Sequence, residues 1–240
     1  MLRLLRPRQW TKNALLFAAL VFAEKLFVPE ALLRASLGFV CFCLAASSAY
    51  VVNDIVDAPR DREHPEKRRR PIAAGEVGRG PALALAAGLT AAALALSALL
   101  GTAFLGAVLL YLALTHFYSF VGKNVVILDA MLVATGFVIR AVAGALAIPV
   151  PSSDWFVLCT LFLALFLALS KRRAELLRAR EAASRARPVL AGYTAGTLAM
   201  FTATSMTAAL ITYAIYVHAV LEKYPWLGLT DEGQFRVRAS

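Results

Sequence analysis

The chain has 240 residues, of which 60% are apolar and 17% charged, with a formal net charge of +10. At roughly 20 apolar residues per bilayer-spanning helix, this composition fills about seven crossings and leaves little for a water-soluble core. Disorder is excluded by the hydrophobicity, and a secreted disulfide scaffold by a cysteine count of three, with Cys41, Cys43 and Cys159 all inside apolar runs. The chain reads as an all-α, polytopic transmembrane helical bundle.

Residues 1–12 are basic and leucine-rich, with no short apolar stretch leading to a small-residue cleavage site. They read as an interfacial segment anchored by Trp10 rather than a signal peptide. Seven apolar segments follow, at about 14–28, 35–53, 81–100, 103–120, 125–148, 154–170 and 194–221, the first interrupted by Glu24 and Lys25. Trp155 and Trp226 fall at outer edges of spans, as an aromatic belt requires. The alanine-rich run 82–98 suits close helix packing, and a polar tail occupies 222–240.

Charge sets the orientation. If the spans alternate, 19 of the 25 Lys and Arg residues lie on one side: Arg3, Arg6, Arg8 and Lys12, seven from Arg60 to Arg79, Lys123, and seven from Lys171 to Arg187. The positive-inside rule places that side in the cytoplasm. The basicity therefore reports membrane insertion, and no nucleic-acid partner is expected, because a basic patch with aromatic platforms is missing.

Two charged loops exceed what a connector needs. The first carries Asp54, Asp57 and Asp61 at helical spacing, so continued helix would put the carboxylates on one face. Their mutual repulsion serves no structural end, and a divalent cation such as Mg²⁺ would remove it. Pro59 predicts that the helix ends near Asp57, leaving Asp61 on a loop that folds back. Arg62, Lys67, Arg68, Arg69 and Arg70 follow directly; cationic forks beside a metal motif suit a diphosphate. The competing reading is a solvated, charge-mixed loop that only enforces topology.

The second loop opens with Lys171, Arg172, Arg173 and Glu175; its basic residues suit phosphate oxygens or insertion alone, and Arg178, Arg180, Arg185 and Arg187 are assigned to insertion. Between the loops, Lys123 stands at the mouth of a span that contains Asp129 and Arg140, eleven residues apart and so nearly on one face. Charges within a span face a cavity. The alternatives are snorkelling for Arg140 and, for Asp129, a structural pairing with Arg140 or Lys123. Tyr118 is expected to face the same cavity. His64, His116 and His218 share no ligand spacing and read as structural.

Together, RPRQWTKN, NDIVDAPRDREHPEKRRRPIAAG, YSFVGKNVVILD with GFVIRAVAG, and LSKRRAE resemble the decaprenyl-phosphate phosphoribosyltransferase branch of the UbiA superfamily of intramembrane prenyltransferases, over about residues 5–220. The resemblance implies a bundle of nine transmembrane helices around a cavity opening to lipid and capped by the two cytoplasmic loops. This single UbiA-like domain would then lack the last two helices, its open side covered by lipid or a second copy of the chain. It implies transfer of 5-phosphoribosyl from phosphoribosyl pyrophosphate to a polyprenyl phosphate, releasing pyrophosphate, in the cell membrane and in the service of cell-wall polysaccharides.

Carried over to matching positions, Asn53, Asp54, Asp57 and Asp61 would hold Mg²⁺ on the donor. Lys12, Arg62, Lys67, Arg70, Lys123, Lys171, Arg172 and Arg173 would grip phosphates, and Tyr118, Asp129 and Arg140 would line the site. The superfamily's second aspartate-rich motif is replaced by KRRAE. Two other functions compete: prenyl transfer from a prenyl diphosphate to an aromatic ring, and a non-catalytic transporter whose charged spans line a path.

Overall fold

The computed structural model describes residues 2–182 and 192–223, and all regular structure among them is helical. After a single turn, α1 (Leu2–Leu5), and a 3₁₀ helix (Pro7–Phe17), come α2 (Ala18–Phe22), α3 (Pro29–Arg62), α4 (Arg79–Leu100), α5 (Thr102–Phe120), α6 (Leu128–Ala147), α7 (Asp154–Ala182) and α8 (Ala195–Lys223). Helices α3 to α8 contain the six candidate membrane spans by length and composition. Arg185, Arg187, the side chains of Arg178 and Arg180, Trp226 and the tail from residue 224 onward lie outside the described residues.

The first apolar segment departs from the expected span over 14–28. It is built from the 3₁₀ helix and the five-residue α2, followed by a turn in which Glu24 takes a positive φ of 55°. Arg6 pairs with Asp54 near one end of α3, whereas Pro29 opens α3 at the other. The leading segment therefore runs along α3, and a 3₁₀ helix, rising about 2.0 Å per residue, covers that distance with few residues. It lies against α3 and α6, burying Asn13, Leu16 and Leu20. The approach is close enough that a Cβ on Gly144 would collide with the Leu16 carbonyl.

In lipid there is no hydrophobic drive between helices, so small residues and polar contacts hold them together. The α3–α4 seam shows both. Ala45, Ala46, Ala49, Ala82, Ala86 and Ala93 are buried, Ser48 donates to the Ala86 carbonyl at 2.9 Å, and Cys41 Sγ to the Ala93 carbonyl at 3.0 Å. Phe42, Phe104 and Tyr111 cluster beneath the leading segment. A single residue, Gly101 at φ +117°, joins α4 to α5, a backbone state that side chains resist. At the same end Arg34 donates from Nε to the Ala147 carbonyl (2.6 Å) and from Nη2 to the Leu100 carbonyl (3.0 Å). One cation thereby satisfies orphan carbonyls at the C-terminal ends of two helices.

Candidate active site

At the opposite end, α3 does not stop near Asp57. It continues through Pro59 to Arg62, which corrects the expectation that Asp61 lies on a returning loop. Pro59 sits one turn from the end, where few helical bonds remain to be lost, and the Glu63 and His64 amides close the helix on the Arg60 and Asp61 carbonyls. Asp54 and Asp61, two turns apart, consequently share a face. Both are buried, and Arg70 Nη1 donates to Asp54 Oδ1 at 3.1 Å and to Asp61 Oδ2 at 2.6 Å. Asp54 also receives Arg6, whose guanidinium lies over the Tyr50 ring.

Asp57 faces elsewhere. Its Oδ1 is paired with Lys123 from the α5–α6 link, and its Oδ2 accepts a hydrogen bond from Asn53 Nδ2 at 3.0 Å. Asn53 Oδ1 is buried without a hydrogen-bond partner. A buried, unpartnered amide oxygen costs on the order of 1–3 kcal/mol, and beside a carboxylate it suits a hard cation. Among the described residues no three carboxylate, imidazole or thiol groups converge as a metal cage. Mg²⁺ is usually held by one or two carboxylates while water and substrate phosphate complete its shell. The acids expected to gather on one face are thus divided. Asp54 and Asp61 are bound to Arg70, while Asp57 pairs with Lys123 and lies beside the unpartnered Asn53 amide oxygen. Asn53 and Asp57 are therefore the pair that suits a hard cation.

Other expected residues are placed differently. Arg62 Nε braces the Ala73 carbonyl at 3.3 Å, which sets the loop's return. Lys67 opens a one-turn 3₁₀ helix, and its amide and that of Glu66 donate to His64 Nδ1. His116 Nδ1 lies 2.6 Å from the Leu112 carbonyl one turn back. Both imidazoles thus make local hydrogen bonds, within two to four residues of their own position.

Asp129 is fully buried. Arg172 Nε pairs with its Oδ2 and the Tyr193 hydroxyl donates to its Oδ1 at 2.8 Å. The structural pairing is therefore realised, with Arg172 as the partner rather than Arg140 or Lys123. Tyr193 also accepts the amide of Ile127, a β-branched residue at φ +69°. Burial, then the hydrogen bond to Asp129, push the Tyr193 hydroxyl up to about 12. Arg172 further donates to Glu175 at 3.0 Å and lies within electrostatic reach of the half-buried Tyr118. Lys171 and Arg173 are exposed.

Arg140 does not snorkel. It is 6% exposed, with Nε donating to Asn13 Oδ1 (2.8 Å), Nη1 to the Gly136 carbonyl (2.8 Å) and Nη2 to the Tyr111 hydroxyl (2.7 Å). Its guanidinium lies 4.7 Å from the Tyr111 ring centroid. Asp129 and Arg140 thus share a helix but not a partner. Four residues of this region escape sequence reasoning: Arg6, Asn13, Tyr111 and Tyr193. Arg6 and Asn13 fall within or beside the RPRQWTKN motif, which is a local signal; Tyr111 and Tyr193 carry none, because their partners are 29 and 64 residues away.

The chain is 41% identical over 220 residues to a decaprenyl-phosphate phosphoribosyltransferase of Mycolicibacterium smegmatis, covering 90% of this chain and 69% of that protein. It is 39% identical over 220 residues to one of Corynebacterium glutamicum (90% and 66%), and 38% identical over 216 residues to one of Mycobacterium tuberculosis (88% and 72%). The chain thus spans about two thirds of the length of these relatives. Among solved structures, a UbiA homolog from Archaeoglobus fulgidus bound to GPP and Mg²⁺ superimposes with a TM-score of 0.71 at 21% identity, covering 99% of this chain and 90% of that one. At that identity the likeness speaks for the fold. The model of the UbiA prenyltransferase family matches residues 14–230, and the chain belongs to the UbiA prenyltransferase family.

Proposed function

We propose that this protein transfers 5-phosphoribosyl from phosphoribosyl pyrophosphate to a decaprenyl-type polyprenyl phosphate and releases pyrophosphate. The carrying observation is the inner end of α3, where Asp54 and Asp61 are bound to Arg70, and Asp57 beside Asn53 meets Lys123. Carboxylates and cations interleaved at the edge of a lipid-facing bundle suit a pyrophosphate arriving from water. The relatives above are named decaprenyl-phosphate phosphoribosyltransferases, which supports the acceptor and the transferred group.

Asn53 and Asp57 would hold Mg²⁺, which when bound offsets charge on the departing pyrophosphate. Arg70, on Asp54 and Asp61, and Lys123, on Asp57, supply cationic donors to phosphate oxygens. As the C1–O bond to pyrophosphate breaks, an oxygen of the acceptor phosphate forms the new bond from the opposite face. That phosphate is anionic at neutral pH, so no general base is needed. The Arg-rich side, and with it the reaction, faces the cytoplasm of the cell membrane.

The test supplies the purified chain with labelled phosphoribosyl pyrophosphate and decaprenyl phosphate, with and without Mg²⁺. Magnesium-dependent formation of labelled lipid supports the proposal. Product only from a prenyl diphosphate and an aromatic acceptor would replace it with prenyl transfer. Solute flux without either product would make the protein a transporter.

A further inference from the structure

The link between α5 and α6, residues 121–127, is fastened at both ends. Near its start, a 3₁₀ turn (Gly122–Asn124) presents Lys123 to Asp57 of α3. Arg60, about one turn beyond Asp57, places Nη1 3.5 Å from Asn124 Oδ1. At its end, Ile127 precedes α6 at φ 69° and ψ −48°. That conformation lies outside the left-handed helical region and near a rare, strained form of γ-turn, and a β-branched side chain resists it further. A residue held there persists only where its surroundings over-determine it.

The surroundings come from three elements. The Tyr193 hydroxyl accepts the Ile127 amide and donates to Asp129 Oδ1 at 2.8 Å. One phenol oxygen thus ties the strained residue to the first turn of α6. Asp129 is fully buried and paired with Arg172 of α7, which is 5% exposed. A buried ion pair adds little net stability, but losing either partner is costly, so the pair fixes α6 against α7. Gly192, beside Tyr193, lies so close to the link that an added Cβ would come within 2.4 Å of Val126 Cγ2. On the other flank, a Cβ on Gly122 would come within 2.1 Å of Leu132 Cδ1. The link is therefore clamped by α6 and by the segment before α8, while its opposite end reaches the acid of α3.

Resting on the reaction proposed above, we infer that Tyr193 is a positioning residue for donor binding: by holding Ile127 at positive φ, it sets the link so that Lys123 meets Asp57 and the diphosphate. Lysine carries its charge on a flexible four-carbon stem, so the ammonium is only as well placed as the backbone beneath it. Lys123 is four residues from Ile127, and its side chain is 12% exposed. A swing of the link would withdraw it from α3. The Tyr193 hydroxyl is engaged by Ile127 and Asp129, so its influence on the donor passes through Lys123.

The experiment titrates magnesium pyrophosphate into the purified full chain and measures donor and acceptor KM beside it. Tyr193→Phe keeps the ring and removes both hydrogen bonds. It is expected to weaken magnesium pyrophosphate about tenfold, the size of one lost charge-assisted contact. The KM for phosphoribosyl pyrophosphate should rise by a similar factor, and that for decaprenyl phosphate should stay within about twofold. In a Lys123→Met background the same substitution should change affinity by less than about twofold, because residues that act through one another are not additive. Glycine takes positive φ without a Cβ penalty, so Ile127→Gly should restore most of the affinity lost in Tyr193→Phe. Should Tyr193→Phe not fold, Gly192→Ala, at an exposed position, displaces the link through Val126 and carries the same comparison.

An equal loss with and without Lys123, no loss at all, or no rescue by Ile127→Gly would overturn the inference and leave Tyr193 a packing residue. Equal rises in the two KM values would do the same, because general loosening does not distinguish donor from acceptor. Coupling of Tyr193 to Lys123 in pyrophosphate binding, in a protein that forms no phosphoribosyl lipid, would sink the proposed reaction and leave the positioning role standing. Labelled lipid formed without that coupling would do the reverse, and a wild type that binds no magnesium pyrophosphate would overturn both.

Discussion

At the scale of single residues, the site is an allocation of cations among acids. Asp54 and Asp57 have no neutral substitute that supplies the same charge, so Asp54→Asn and Asp57→Asn should each lower turnover by at least about 100-fold, equal to about 2.7 kcal/mol of barrier. Membrane insertion should be retained, as judged by yield and monodispersity in detergent; turnover within threefold of wild type would remove these acids from the reaction. Lys12 makes a separate prediction for the ligand-free protein. Its folded pKa of about 8 lies below the ordinary value of 10.5, so between those values the unfolded chain holds the proton more tightly. Stability therefore rises with pH across that window. A thermal midpoint that rises from pH 8 toward pH 10 in wild type more than in Lys12→Arg would show it.

At the scale of elements, two glycines separate packing from propensity. Gly144 in α6 admits no Cβ because the Leu16 carbonyl of the leading segment occupies the space, and backbone cannot step aside cheaply. Gly144→Ala should cost about 1–3 kcal/mol by displacing the leading segment from α6. Gly88 in α4 meets nothing within 4 Å, so Gly88→Ala should be neutral or stabilising by up to about 1 kcal/mol. Melting both variants beside wild type tests the contrast. Arg34, which caps α4 and α6 together, predicts a loss of about 2 kcal/mol in Arg34→Met, visible as a lowered midpoint with acceptor and donor KM unchanged.

At the scale of the molecule, the cationic ends and the acidic end of α3 coincide on one side of the bundle, and the proposal requires that side to be cytoplasmic. Cysteines introduced at the exposed positions Glu66 and Arg173 should react with an impermeant maleimide in inside-out vesicles and stay unlabelled in intact cells. The opposite pattern would place the reaction on the far side of the membrane and away from a cytoplasmic donor. The native Cys41 and Cys43 are buried and hydrogen-bonded, so they should contribute little background.

The membrane bundle, the small-residue seam between α3 and α4 and the acidic end of α3 were legible in the residue order, because hydropathy, residue size and helical spacing are local properties. Tertiary structure alone decided the partners. It ran α3 through Pro59, stretched the first apolar segment into a 3₁₀ helix, gave Asp129 to Arg172 and Tyr193, and gave Arg140 the neutral hydrogen-bond partners Asn13, Tyr111 and the Gly136 carbonyl. The physical reason is that a buried charge is settled by whichever group folding brings within about 3 Å, and for Arg140 and Asn13 that group is 127 residues distant; spacing along one helix shows which residues share a face, but not what the face meets.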